Sequence, residues 1–358
     1  MYPTKLFNIF FAVSLLSLGI SSCQPNSPSG NQNNTKSSAT SQPAKTLKVY
    51  TYRSSVEDKD MKERFANLAE VAPQYTVMDS KEIVDQMVEG TITPDVLIVD
   101  DLASILTARE AGVLQPFSTA GIEENVPFKY KDKDGYWVAL GKSGIAVIFH
   151  KDRVQEADIK TYADLTKPKF KGKILLADAE ESINRQLLAG MIAGEGERAA
   201  TRFAKGVVAN LAQPPVADQT AVIEGVANGD GDLGIVDIAA LMRYRYSGNP
   251  DAFEAAKNLS LVYPATEQGI TYLTFKFLAI PKNTADRARA VRFAEYLTNE
   301  SAQQAMSAGG FLFPTNPMVL PADFLIDEGG YRDMGTDLNE IGQLDSTAIS
   351  IAQAAGWE

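Results

Sequence analysis

From Leu47 onward, short apolar runs alternate with amphipathic stretches, and that alternation restricts the chain to an α/β architecture with parallel strand pairing. Leu47–Tyr52 (LKVYTY) reads as a strand, and Asp58–Val71 carries Met61, Phe65 and Leu68 at helical spacing. Ile83–Val88 is helical. Asp95–Val99 (DVLIV) reads as a buried strand, followed by a helix over Leu102–Ala111 that Gly112 closes. The pattern then repeats with a strand over Ile174–Asp178, helices over Asn184–Gly194 and Ala199–Asn210, and a strand over Leu233–Asp237. Ile145–His150, Leu261–Tyr263 and Tyr272–Ile280 flank this second set and are expected to cross between lobes. The expected first lobe is 47–144 plus 272–358, and the second is 145–271. Two crossings make a hinge, with a ligand cleft between the lobes. In open α/β sheets ligands collect beyond the carboxyl ends of strands, here Tyr52–Ser55 and Val99–Asp101. Ala285–Leu297 and Ser346–Ala355 read as further helices.

The chain begins with a different kind of segment. Leu6–Ile20 is 15 residues long and apolar apart from Asn8 and two serines, too short to span a bilayer comfortably. It reads as the hydrophobic region of a lipoprotein signal peptide over 1–22. Ile20-Ser-Ser-Cys23 resembles a lipobox, which makes Cys23 the expected lipidation site. Residues 24–46 hold no large apolar side chain, so 23–46 is expected to be a lipidated cysteine and flexible tether. Nothing later approaches a transmembrane length. The expected protein is anchored at a membrane rather than spanning it.

Composition excludes several classes of function. With 34 Lys and Arg against 45 Asp and Glu the net charge is −11, which does not attract nucleic acid or anionic headgroups. One Cys and one His exclude a disulfide framework and a Cys/His zinc site. Residues 229–234 (GDGDLG) match a dinucleotide loop by letters but precede a strand, and their two acids repel a pyrophosphate; an acidic turn is the expectation. His150 ends an apolar run and reads as a half-buried strand-end side chain. No enzyme constellation survives, and no catalytic residue is expected.

Longer stretches carry a resemblance. Residues 95–102 (DVLIVDDL), 110–117 (EAGVLQPF), 161–175 (TYADLTKPKFKGKIL), 184–197 (NRQLLAGMIAGEGE) and 228–237 (NGDGDLGIVD) resemble the ferric-iron-binding solute-binding proteins of ABC importers, in particular their cyanobacterial FutA/IdiA branch. The likeness runs from Leu47 to Glu358. It implies a type II periplasmic-binding-protein fold that closes on a small ligand and delivers it to an inner-membrane permease. It also implies ferric iron held by tyrosinates with a His or carboxylate, because a hard cation favours ionised oxygen ligands. At the implied ligand positions this chain differs. The His-Tyr pair after the first strand corresponds to Ser54 and Ser55, following Tyr52 and Arg53. The next tyrosine corresponds to Ile183, and the paired tyrosines to Ala239 and Ala240. Ser104 and Ser143 stand where the family often has Arg. Tyr244 and Tyr246 fall one to two helical turns beyond the ligand positions.

The expected function is therefore that of a periplasmic-side, lipid-anchored, monomeric substrate-binding protein whose ligand is a small solute or metal chelate. No cofactor is expected, and ferric iron enters only as a transported ligand. Tyr52, Asp101, Ser104, Ser143, Asp237 and Tyr272 are further cleft candidates that supply oxygen. Two alternatives stay open: ferric iron bound through other residues, and a non-transporting envelope protein that binds a protein partner.

Overall fold

The computed structural model describes residues 46–52, 73–266, 268–328 and 338–358. The helix expected over Asp58–Val71, the expected lipidation site Cys23, and the cleft positions Arg53, Ser54 and Ser55 lie outside the described residues.

The strands are β1 (Leu47–Thr51), β2 (Pro73–Val77), β3 (Val96–Val99), β4 (Leu114–Gln115), β5 (Trp137–His150), β6 (Ile174–Leu175), β7 (Leu233–Asp237), β8 (Leu259–Val262), β9 (Leu273–Pro281) and β10 (Phe313–Pro314). Their main path runs β2-β1-β3-β9-β5-β7-β6. β2, β1 and β3 pair in parallel, as strand–helix–strand order dictates, and β9 joins β3 antiparallel. The 14-residue β5 links two sheets. Its first half, Trp137–Gly144, pairs with β9, and its second half, from Ile145, pairs with β7 and β8. The strand leaves one sheet and enters the other at Gly144/Ile145. β9 begins at the same boundary, where the Ile145 amide donates to the Tyr272 carbonyl at 2.9 Å. Leu261–Tyr263, expected as a crossing, instead forms an edge strand of the second sheet, because β8 pairs with the part of β5 that already belongs there.

The helices are α1 (Ser80–Glu89), α2 (Leu102–Glu110), α3 (Ala120–Asn125), α4 (Ser182–Glu195), α5 (Glu197–Val208), α6 (Gln219–Asn228), α7 (Ile238–Arg245), α8 (Pro250–Ala256), α9 (Arg287–Thr298), α10 (Glu300–Gly310), α11 (Asp323–Asp327), α12 (Leu338–Gln343) and α13 (Asp345–Ala355). Acidic caps set several helix starts. The Asp79, Asp101, Asp218 and Asp237 side chains accept from the first free backbone amides of α1, α2, α6 and α7. Asp79, Asp101 and Asp237 lie at or within two residues of the ends of β2, β3 and β7, so each of these strand-to-helix turns places a carboxylate at the carboxyl end of its strand. Gly229, at φ 94°, closes α6 in a left-handed conformation that other residues reach only with strain.

Three apolar clusters fill the interior. The first gathers β1, β3, α2, α9 and the first half of β5, with Trp137 and Phe277 edge to face at 5.4 Å. The second and third cover the two faces of the other sheet. The C-terminal helix α13 contributes Ala348 and Ala352 to the second cluster, together with Trp357, whose indole N–H donates to the Ala177 carbonyl at 2.9 Å. Tyr272 lies in the same cluster. The acidic turn at 229–234 is held by Asp232, which pairs with Arg153 at 3.1 Å and Lys173 at 3.0 Å. His150 is half-buried at the end of β5, where its Nδ1 accepts from the Asp152 amide at 3.3 Å.

Candidate functional site

The end of β3, the start of α4 and the middle of β9 meet where the two halves of the sheet system face each other. Asp100 follows β3. Its Oδ1 accepts from the Ser80 hydroxyl at 2.6 Å and its Oδ2 from the Ser182 hydroxyl at 2.8 Å. Gln186, one turn along α4 from Ser182, donates to the Asp100 carbonyl at 2.9 Å and accepts from the Phe275 amide at 3.2 Å. The β3 end, the α4 start and β9 are thus tied together through two side chains. Burial works against the Asp100 charge, but Lys276, the two serines and Arg185 outweigh it and hold the carboxyl below the ordinary range.

Asp101 points the other way. Its carboxylate caps α2 through the Ser104 amide at 2.7 Å and accepts from the Ser104 hydroxyl at 2.9 Å. Burial pushes it up to about 6, against the pull of Arg185 at 3.5 Å. Arg185 also grips Asp345 of α13 at 2.9 Å. Asp101 and Ser104 are therefore a cap pair whose oxygens are already used.

On the opposite side, Asp237 ends β7 and caps α7 through the Ala240 amide at 2.7 Å, and its own amide donates to the Gln219 side chain at 2.7 Å. Ser143 on β5 accepts from the Ala239 amide at 3.2 Å. Ala239 is fully buried and Ala240 nearly so. Ile183, 1% exposed, packs in the second cluster. Tyr244 and Tyr246 lie at the end of α7, and the Tyr246 ring stacks on Phe311 at 6.0 Å.

Tyr272 is not a cleft residue. Its hydroxyl donates to Glu195 at 2.5 Å, at the C-terminal end of α4, whereas the cleft lies at the N-terminal end of that helix. Its ring fills the space over Gly190, where a Cβ would come within 2.8 Å of it. The residue packs the second lobe, and burial together with Glu195 pushes its phenol well above the ordinary range. Tyr52 follows β1, and its ring lies 5.0 Å from the Lys276 ammonium. Sequence reasoning placed Asp100 only within the strand end Val99–Asp101, and it missed Ser182, Gln186 and Lys276. The signal for Lys276 was present: it is the one charged side chain in the apolar run 273–281 (LTFKFLAIP).

Beside these contacts lies a groove of about 910 Å³, walled by Asp79 and Asp85 from one side and by Asp178, Glu180 and Glu181 from the other. Glu181 is pushed up to about 7 by burial, with Asp100, Asp218, Asp178 and Asp79 adding repulsion. Among the described residues no group of three or more His, Cys, Asp or Glu is arranged to hold a metal ion.

The comparisons agree on what this scaffold is. The pattern of the bacterial extracellular solute-binding protein family matches residues 61–331. Iron uptake protein A1 of Synechocystis sp. is 28% identical over 316 residues, covering 87% of this chain and 87% of that protein. The major ferric iron-binding protein of Neisseria gonorrhoeae is 26% identical over 65% of this chain and 69% of its own length. Among solved structures, a Trichodesmium protein in complex with iron and citrate superposes with a TM-score of 0.81 at 26% identity, covering 88% of this chain and all of that one. These relatives are substrate-binding proteins, not enzymes.

The Glu181 geometry sets a pH dependence. Its folded pKa lies above the unfolded value, so the stability it contributes is complete below about pH 4.5 and is lost as pH rises through about 7. Glu181→Gln should melt at nearly the wild-type temperature at pH 4 and at a higher temperature at pH 8; thermal melts across that range check this.

The two-lobed α/β fold and the sequence pattern lead to one conclusion: the chain belongs to the bacterial extracellular solute-binding protein family.

Proposed function

We propose that this protein is the substrate-binding lipoprotein of an ABC importer, and that its ligand is a small solute or metal chelate rather than a bare ferric ion. One observation carries the reading. The positions that the sequence resemblance assigns to the family's ligand phenols, Ile183, Ala239 and Ala240, are buried and have no side-chain oxygen to offer a hard cation. The remaining candidates are committed elsewhere. Asp101 and Asp237 cap helices, Ser143 accepts a backbone amide, and Tyr272 is bonded to Glu195. A buried phenol held in its neutral form is a poor ferric ligand, and burial pushes both Tyr272 and Tyr263 that way. The iron and citrate in the Trichodesmium complex support a chelate as one form of cargo.

The proposed location is the periplasmic side of a membrane, with the chain held there through Cys23 and the 23–46 tether. Cys23→Ser should move the protein from the membrane fraction to the soluble one; a variant that still sediments with membranes would overturn the anchor.

The ligand reading is tested by titrating ferric chloride and ferric citrate separately into the protein, following visible absorption and tryptophan fluorescence. The expected result is no tyrosinate-to-iron band with the free ion. A band that saturates at one equivalent would show that ferric iron binds through unmatched phenols and would end the proposal.

A further inference from the structure

Lys276 is 5% exposed in the middle of β9, yet among the described residues its ammonium makes no hydrogen bond and no ion pair within 4 Å. Its neighbours include the Tyr52 ring, 5.0 Å from Nζ, and the more distant charge of Asp100. Asp100 does not satisfy it, because its two carboxylate oxygens accept from Ser80 and Ser182. The ammonium of this nearly buried side chain carries three donors, and the protein supplies no acceptor for them. Strand neighbours such as Phe275 and Phe277 show that an apolar side chain fits this strand without difficulty.

Thr274 lies two residues before Lys276 and therefore on the same face of β9. It is 1% exposed, and its hydroxyl has no hydrogen-bond partner. Across the strand pair, Thr274 stands opposite Ser143, whose hydroxyl receives the Ala239 amide at the start of α7. One face of the hinge strand thus presents an unpartnered ammonium and an unpartnered hydroxyl between Tyr52 on one lobe and the α7 start on the other. Phe275 and Phe277, on the alternate face, pack against the first cluster.

The geometry points to a carboxylate-binding subsite, with Lys276 and Thr274 receiving the carboxylate of the transported solute. This rests on the solute-binding reading given under Proposed function. A carboxylate fits better than a phosphate. It brings a single negative charge and two acceptor oxygens to one ammonium and one hydroxyl, whereas a dianion would be under-compensated near Asp100 and Asp237. The hinge strand is also an effective place for the contact, since a group bound there touches the element about which the lobes move. The Tyr52 ring face stabilises the ammonium while the subsite is empty, and the incoming carboxylate completes its hydrogen bonds.

The test uses the full chain with acetate, succinate, glutamate and citrate, neutral glycerol, and inorganic phosphate as probes. Melting temperature and calorimetric affinity are measured for wild type, Lys276→Met, Lys276→Arg and Thr274→Val. At least one carboxylate is expected to stabilise the wild type while glycerol and phosphate do not. Lys276→Met should weaken that binding at least tenfold, Lys276→Arg should retain most of it, and Thr274→Val should weaken it less than Lys276→Met does. Ligand-free Lys276→Met should still melt cooperatively, somewhat below the wild-type temperature because buried Asp100 loses the Lys276 charge; that cooperative melt separates lost binding from lost folding. A carboxylate that binds wild type and Lys276→Met equally, phosphate in preference to every carboxylate, or no response to any carboxylate would each overturn the subsite. Glycerol or another neutral solute binding both proteins alike would do so while leaving the solute-binding reading intact. Binding of free ferric ion alone would overturn that reading itself.

Discussion

Asp100 stands where the lobes meet, and its carboxylate joins Ser80 beside one helix start to Ser182 at another. Each hydrogen bond to a charged acceptor is worth about 1.5–3 kcal/mol, and the carboxylate is useful only while both donors are present. Gln186 continues the link from the Asp100 carbonyl to the Phe275 amide on the hinge strand. Much of the cleft follows from this arrangement. The start of α4 is fixed against β3, the α4 body then presents Gly190 to Tyr272, and Arg185 is positioned to span Asp101 and Asp345.

The same network explains how charge is distributed around the cleft. Three carboxylates, Asp100, Asp101 and Asp237, come to strand ends as caps or clasps; Asp100 and Asp101 have both oxygens engaged by the protein, and Asp237 has Oδ1 engaged as a cap. Among the described residues beside them, Lys276 and Thr274 keep hydrogen-bonding capacity that the protein does not use. On the proposed reading, a cleft built this way suits an anionic group better than a hard cation. It offers an anionic group one ammonium, one hydroxyl and an aromatic floor. The scaffold is that of the solute-binding family.

The strand over Asp95–Val99 and the helix that Ser182–Glu195 became were legible because a continuous apolar run and a strong helical periodicity survive any tertiary context. β5 was legible only from Ile145. Residues 141–144 (GKSG) interrupt its apolar pattern at the point where the strand passes between sheets, and Gly141 is required there because a Cβ would meet Leu312 at 2.9 Å. The site was harder to read. Asp100 and Asp101 are adjacent identical residues, and only the turn geometry decides which caps α2 and which reaches across to α4. Tyr272 looked like a cleft oxygen because it opens a hinge strand, but its direction is set by the small residue facing it at Gly190. Gln186 and Ser182 carry no motif at all; their roles come from distances between segments about 80 to 90 residues apart, such as the 86 positions between Gln186 and Asp100.

The central claim is that the chain's own hydrogen bonds at Asp100 set the relation of the two lobes. The most direct measurement is the distance distribution between spin labels at exposed Glu110 and Lys205, one on each lobe, in ligand-free wild type and in Asp100→Ala. The account predicts a narrow distribution in the wild type that broadens and shifts to longer distances in the variant. Superimposable distributions would contradict it.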